Sequence, residues 1–379
     1  MTSHIVHVTS VHSRFDTRIF HKECLSAVKA GYKVTMVVAD GLGDALVEGV
    51  CIVDVGRATG RLKRILLSSH SCMRRAKGLQ PNLLHLHDPE LLPHGWIAAV
   101  KGYTVVFDAH EDVAKQILGK SYLTPLLRRL LSMAYRLCES SVLRKLSALV
   151  AATPHIRDLL VRYNTNVVDI NNFPRLGELA PTGVPTMRNP RYICYVGGLS
   201  RIRGVVEIVE ALDLVKSDVR LLLAGKFQDE DLEQLVRSHP GWSRVDFLGF
   251  LGREGIRDIL TRSDVGLVTL HPQENYLEAL PVKMFEYMAA GLPVIASDFP
   301  VWREIVKNSD CGLCVDPLLP QQIADAIDAL LTDANWARQL GQSGRNAVES
   351  RYNWGTEERK LLELYRTFCG DGTLRAIND

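Results

Sequence analysis

Tyr192-Ile-Cys-Tyr-Val-Gly-Gly-Leu-Ser-Arg-Ile-Arg-Gly204 runs into VVEIVEALDLV and then into Val219-Arg-Leu-Leu-Leu-Ala224. Tyr192–Val196 is a short apolar run that closes on two glycines, as a buried strand ending in a loop does. The apolar positions that follow recur at helical spacing, and Val219–Ala224 is a second buried strand. Strand, helix, strand in repeated order means a parallel sheet with helices on its faces. Ligands of such sheets sit beyond the carboxyl ends of the strands, so chemistry is expected on strand-to-helix loops.

The same alternation extends in both directions. Upstream, strands are expected at 4–9, 33–39, 50–55, 83–87, 104–108, 148–152 and 167–170; downstream, at 245–248, 265–269, 293–296 and 312–315. Between the two series lies LGELAPTGVPTMRNPR, which holds three prolines and little periodicity and reads as a linker. The organisation is therefore α/β with two doubly wound domains: 1–175, a linker over 176–190, and 191–352. A terminal amphipathic helix, 353–379, is expected to complete the first domain. A length of 379 residues agrees with two domains.

Composition narrows the function. There is no apolar run of 18 residues and no basic segment leading an apolar one at the N-terminus, so neither a membrane span nor a secretory signal is read. Eight scattered cysteines, mostly in apolar runs, read as reduced, buried thiols of a cytoplasmic protein. The Cys311/Cys314 pair lacks partners for a zinc site. The net charge of +2 hides a split: residues 1–175 carry 23 Lys+Arg against 14 Asp+Glu, and the remainder 22 against 29. Residues 57–77 hold seven basic residues and no acid; 115–145 hold seven and one acid, Glu139. In the latter, Arg128, Ser132 and Arg136 share one helical face and Leu126, Leu127, Leu130, Leu131 and Ala134 another. A basic amphipathic surface suits peripheral attachment to anionic lipid. Nucleic acid is not expected, because neither stretch interleaves aromatic residues.

Two sites stand out. The loop Gly197-Gly198-Leu-Ser-Arg201-Ile-Arg203-Gly204 opens a helix, so backbone N–H groups and two guanidinium groups make an anion cradle. It matches neither a P-loop nor a dinucleotide fingerprint. Glu278-Ala-Leu280-Pro281-Val-Lys283-Met-Phe-Glu286 places one carboxylate before a helix and another about a turn and a half inside it. Lys283 and the helix N-terminus supply positive potential between them. A nucleotide diphosphate-sugar needs that distribution, with acceptors for hydroxyls at both ends and cations in the middle. A surface acid and an i,i+3 ion pair would read the same way.

The series VGGLSRIRG, LLLAGKF, FLGFLGREGIRDIL, SDVGLVTL, Glu278-x7-Glu286-YMAAGLPVIAS and CGLCVDP resembles the retaining glycosyltransferases of family 4. The N-terminal half joins the match through DTRIFHKECLSAVKAGYKV, HLHDPELLP and FDAHEDV. The resemblance implies the GT-B fold, two Rossmann-like domains facing across a cleft. Glu286 would bind the ribose and Glu278 the donor sugar, with His110 facing that sugar. Gly225, Lys226, Gly249 and Phe250 would line the base, and Leu280 the donor. Many members carry arginine where this chain has Gly198 and lysine where it has Arg203, so Arg201, Arg203 and Lys283 are the candidate cations for the diphosphate. Glu278, His110 and Arg203 are the catalytic candidates.

The implied reaction is sugar transfer with retention, without metal or cofactor. UDP-sugar is the favoured donor, with GDP-sugar next. The acceptor is a hydroxyl of a glycan or lipid-linked glycan, in surface polysaccharide assembly. Arg14, Asp16, His87, Asp88 and Glu90 are assigned to the acceptor side; Arg14, Asp16 and Arg18 would equally serve as caps of the following helix. His85 and His87 share one strand face, too few ligands for zinc, and read as lining near His110. Two other readings remain open at this stage: a nucleotide-sugar epimerase of the same fold, and a catalytically degenerate binding scaffold.

Overall fold

The computed structural model describes residues 2–60, 64–119, 124–179 and 190–369, with the side chains of 64 and 65 excepted. Most of the expected linker therefore lies outside the described residues, as does the part of the terminal helix beyond 369. Two compact units form, one from Met1–Asn172 with Thr356–Asp379 and the other from Phe173–Gly355.

The first unit is built on an eight-stranded sheet in the order β3-β4-β2-β1-β5-β6-β7-β8. Its strands are β1 (His4–Val8), β2 (Lys33–Val38), β3 (Ala45–Val47), β4 (Val50–Asp54), β5 (Leu83–Leu86), β6 (Val105–Ala109), β7 (Ala148–Ala151) and β8 (Val167–Asp169). All pairs are parallel except β3 with β4, an antiparallel edge. Residues 45–47 carry no β-rich run, which is why the sequence reading omits this strand. The second unit holds six strands in the order β11-β10-β9-β12-β13-β14. These are β9 (Arg191–Val196), β10 (Val219–Ala224), β11 (Val245–Gly249), β12 (Val265–Val268), β13 (Val294–Ser297) and β14 (Gly312–Val315), all parallel.

The division between units falls three residues before the expected end at 175, because Phe173 belongs to the second core. Its ring lies 4.7 Å from that of Phe285 and 5.4 Å from that of Tyr352, centroid to centroid. The terminal helix Trp354–Cys369 joins the first unit from Thr356 onward. Its Tyr365 is fully buried, and the hydroxyl lies 2.8 Å from His85 Nδ1 on β5.

Two sequence readings need correction. Cys51 and Cys138 are exposed, and Cys314 and Cys369 are half-buried, so the thiols are reduced but not uniformly interior. The helix Pro125–Leu143 turns the Arg128–Ser132 face inward, so its exposed surface is apolar as well as basic. Ser132 is buried and donates to the Ala114 carbonyl at 2.9 Å, because small and polar residues let two helices approach closely there. Its leucines point outward instead, with Leu126 at 69 % and Leu137 at 65 % exposure.

In the second unit Trp302 is the largest fully buried side chain. It packs on Phe299 and donates from Nε1 to the Ala279 carbonyl at 2.7 Å, pinning the segment that precedes the helix Val282–Ala289. Trp302→Ala is expected to destabilise this unit by about 3–5 kcal/mol in denaturant unfolding, and Trp302→Phe by less.

Candidate functional site

Gly197–Gly204 connects β9 to the helix Val205–Leu214. Gly197 has φ +136°, and a side chain there would bring a Cβ within 3.0 Å of Lys283 Nζ. At Gly198 the Cβ would come within 3.0 Å of Arg203 Nη1. The two cations thus stand directly behind bare backbone, where a side chain would shield them from a ligand. Gly225 serves another purpose. With φ +155°, its Cβ would fall 1.8 Å from the Gly197 carbonyl, so only glycine lets the loop after β10 touch the loop after β9.

Lys283 Nζ is buried and has no hydrogen-bond partner. It sits 3.7 Å from the centroid of the Tyr195 ring, whose face offers the ammonium partial compensation. Burial first, and then the charge of Arg203, lower its pKa to about 7. An ammonium in this state is poised to gain from any anion placed beside it. Tyr195 is itself fixed, its hydroxyl donating to the Gly198 carbonyl at 3.2 Å. Arg201, by contrast, is exposed and stands apart from the pair.

The helix Val282–Ala289 delivers three functional neighbours at once. Lys283 faces the glycine loop, and Tyr287 accepts the Val196 N–H at 2.9 Å, which ties the helix to the end of β9. Glu286 is buried and accepts from Arg253 Nη1 at 2.7 Å. Arg253 also donates through Nε to Glu178 at 2.8 Å. Sequence reasoning quoted the segment containing Arg253 without singling it out; an arginine opening a helix after a glycine gave no sign of a carboxylate partner 33 residues away. Glu278 is half-buried, in the segment that Trp302 pins, and Leu280 packs beside it against the core.

A cavity of about 390 Å³ adjoins the glycine loops and gathers Gly225, Lys226, Gly249 and Phe250 with Phe227 and Phe247. Phe250 is 84 % exposed, a large apolar surface with nothing of this unit over it. Asp229, Glu230 and Glu233 line the other side.

In the first unit His110 is partly exposed, and its Nε2 lies 3.0 Å from Asp108 Oδ2. Asp108 is fully buried and takes a two-pronged bond from Arg18, at 2.8 and 2.9 Å. Arg18 therefore is neither a cap nor a surface residue, but the anchor of the carboxylate that holds His110. His87 and Asp88 are buried as well. Asp88 Oδ2 accepts from the Thr9 and Ser10 hydroxyls and the Ser10 N–H, so it shapes the first loop from inside. Arg14 is spent on Asp40, at 2.6 and 2.7 Å, and on the Gly43 carbonyl. Asp16 accepts from the N–H groups of Arg18 and Ile19, the capping alternative. Burial alone would raise its pKa, but His12 and those N–H groups hold the carboxyl below the usual range. Glu90 is half-buried in the first turn after β5.

A Glycosyltransferase Family 4 model matches residues 18–173, and a Glycosyl transferases group 1 model matches 184–347, so that together they span most of the chain. The chain belongs to the family 4 glycosyltransferases. Among its relatives in that family, a phosphatidyl-myo-inositol mannosyltransferase of Mycobacterium leprae is 25% identical over 338 residues, 85% of each chain. An alpha-maltose-1-phosphate synthase of Mycolicibacterium smegmatis is 27% identical over 210 residues, 51% of each. The chain thus spans only about half the length of several curated relatives it matches. Sucrose-phosphate synthase of Thermosynechococcus elongatus superposes with a TM-score of 0.75 at 19% identity, over 96% of this chain and 98% of that one. Anabaena HepE in complex with UDP-glucose gives 0.70 at 16% identity, over 96% and 99%. The fold of this glycosyltransferase is accordingly GT-B.

The lysine chemistry can be read without any substrate. With lysine isotopically labelled at Cε, an NMR titration is expected to show one signal with a midpoint near 7, missing in Lys283→Met. A spectrum in which every lysine titrates near 10 would contradict the environment described.

Proposed function

We propose that this glycosyltransferase transfers a sugar, with retention, from a nucleotide diphosphate donor bound by its second unit to a hydroxyl of a glycan or lipid-linked glycan. The observation that carries the reading is the buried, unpartnered Lys283 ammonium beside Arg203, both behind Gly197–Gly198. UDP is the favoured nucleotide and GDP the next; HepE and a trehalose-6-phosphate synthase of the same fold were solved with UDP-sugars or their analogues. The diphosphate sits against the glycine loop, the base in the cavity bounded by Gly225 and Phe250, the ribose at Glu286, and the sugar at Glu278.

Breaking the bond from anomeric carbon to phosphate leaves positive charge on the sugar and negative charge on the diphosphate. Lys283, Arg203 and the N-terminus of Val205–Leu214 stabilise the leaving oxygens without moving, which is where most of the rate enhancement is expected. Attack then comes from the face the diphosphate leaves, with the departing phosphate taking the acceptor's proton. Two fixed cations supply the neutralisation that a metal ion would otherwise bring, so adding magnesium or manganese should leave turnover unchanged. His110, oriented by Asp108, is proposed to serve the donor sugar on the family resemblance.

Thermal stability against UDP, GDP, ADP and their sugars tests the donor. A ligand at 100 times its Kd stabilises by about 2.7 kcal/mol, a shift of a few degrees. One nucleotide class is expected to give it, and Glu286→Ala to lose it. Glu278→Ala should keep binding and lose turnover by about 100-fold or more. Since Lys283 is half-deprotonated near pH 7, nucleotide binding should take up a proton and weaken as pH rises above 7. Release of an isomerised donor without any acceptor would sink the transfer reading.

The acceptor is proposed to be met at the cytoplasmic face of a membrane, in surface polysaccharide assembly. The helix Pro125–Leu143 exposes Leu126, Leu127, Leu130, Leu131, Met133 and Leu137 between basic residues, and a groove beside it is lined by Arg129, Arg136 and Arg144. Among the described residues no helix is long and apolar enough to cross a membrane, so attachment would be peripheral. The name of the M. leprae mannosyltransferase points to a lipid as its substrate. Vesicles containing phosphatidylglycerol should sediment the protein, and Leu130→Glu/Leu137→Glu should abolish this while leaving nucleotide binding intact. Equal sedimentation of the variant would refute the surface assigned.

A further inference from the structure

The first unit buries a cluster of ligand-type side chains that its part in the reaction does not account for. His7 on β1, His85 on β5, His87 just after it and Glu23 on the first helical segment are all fully buried, and one ligand atom from each lies within 4.8 Å of the others. Neither oxygen of Glu23 has a hydrogen-bond partner, and the histidine nitrogens that face it bond only one another or Tyr365, His7 Nδ1 to His87 Nε2 at 2.9 Å and His85 Nδ1 to the Tyr365 hydroxyl at 2.8 Å. The segment Ile19–Cys24 is a π-turn, in which the Glu23 N–H bonds the Arg18 carbonyl five residues back. Such turns are frequent at functional sites, and here the turn aims both Arg18 and Glu23 inward.

We propose that His7, His85, His87 and Glu23 bind one divalent metal ion, with zinc the ion best suited. Glu23 Oε2 stands 3.9 Å from His7 Nδ1, 3.8 Å from His85 Nδ1 and 3.9 Å from His87 Nε2, while the last is 2.9 Å from His7 Nδ1. Tetrahedral zinc with bonds of about 2.0–2.1 Å needs neighbouring ligand atoms about 3.3–3.4 Å apart. Three of these spacings are wider than that value, one is narrower and the rest stay within 4.8 Å, so a bound ion would draw Glu23 inward and part His7 from His87 by about half an ångström.

What surrounds these four residues fits the same purpose. A ligating histidine normally donates its other ring N–H to a carboxylate or another oxygen, and a ligating carboxylate is itself held. His87 Nδ1 faces Asp108 at 3.4 Å, His7 Nε2 faces the Tyr365 hydroxyl at 3.3 Å, and Glu23 Oε1 faces Arg18 Nε at 3.1 Å. His85 would exchange its 2.8 Å bond with Tyr365 for the metal. Burial and the neighbouring Asp108 push the Glu23 carboxyl well above the usual carboxylate range, so a bound cation would displace its proton. Four protein ligands leave no open position, so the ion ties β1, β5 and the first helical segment together and takes no part in the transfer. The neighbouring His87–Asp108–His110 group is not a second site, because Arg18 already occupies both oxygens of Asp108.

Full enclosure means loading during folding. The whole chain is unfolded in denaturant with chelator, then refolded with Zn²⁺, with Co²⁺ or with chelator alone, and desalted. About one metal per chain is expected. The cobalt form should show the visible absorption of a four-coordinate nitrogen–oxygen site, and the chelator-only form a lower Tm. His85→Gln and Glu23→Gln should lose the cobalt bands, whereas His70→Gln/His94→Gln, altering a second histidine pair of this unit, should keep them. Tyr365→Phe should weaken cobalt binding by about 10–100-fold. Native refolding of the unsubstituted chain with no cobalt retained would overturn the proposal; the 2.9 Å contact of His7 with His87 would then be a plain N–H···N bond. Retention of unchanged bands by His85→Gln would overturn it equally. Should the substituted chains fail to fold, the spectrum of the unsubstituted chain decides alone.

Discussion

An ammonium withdrawn from water without a hydrogen-bond partner costs stability, and the second unit tolerates one at Lys283. The surrounding architecture keeps it there. Tyr195 offers its ring face from β9, Arg203 stands nearby with the same sign of charge, and Gly197 withholds the side chain that would cover the nitrogen. Tyr287, one turn further along the same helix, fastens that helix to the end of β9. Removing Arg203 would ease the repulsion and let the Lys283 pKa rise, whereas removing the Tyr195 ring would take away the one face that compensates the ammonium. The unit therefore holds unfavourable electrostatics in place that an anion beside the nitrogen would relieve, the usual form of a preorganised site.

Much of this was legible in the residues. The strand order could not be read, but strand positions could, because buried parallel strands are continuous apolar runs and their loops begin on glycine. Gly197 and Gly198 stood out as bare positions at the end of such a run, and Lys283 and Glu286 as charges spaced along the helix that Pro281 opens. What escaped was pairing over long sequence separation. Arg253 with Glu286, Trp302 with the Ala279 carbonyl and Arg18 with Asp108 join segments whose proximity only the sheet order creates. No local pattern marks them.

The helix Pro125–Leu143 shows a different kind of failure. Periodicity separates its two faces correctly but does not say which one turns inward. Burial of leucine is the ordinary expectation, and here Ser132 and Ala114 make the inner contact instead. The basic residues read as a lipid-facing surface flank an exposed apolar strip, which charge counting alone does not reveal.

Arg253 joins two carboxylates, Glu178 and Glu286, and this pairing has a bearing on how donor preference can change. Glu286 has one oxygen already committed to Arg253. Its reach and angle are thus set by a residue on another helix, which in turn depends on a glutamate close to the start of this unit. If Glu286 holds the ribose as proposed, substitutions at Glu178 would retune nucleotide recognition without altering a single residue assigned to touch the nucleotide. Sequence drift at that distance offers the family a quiet route to new donors, one that comparison of the signature motif alone would overlook.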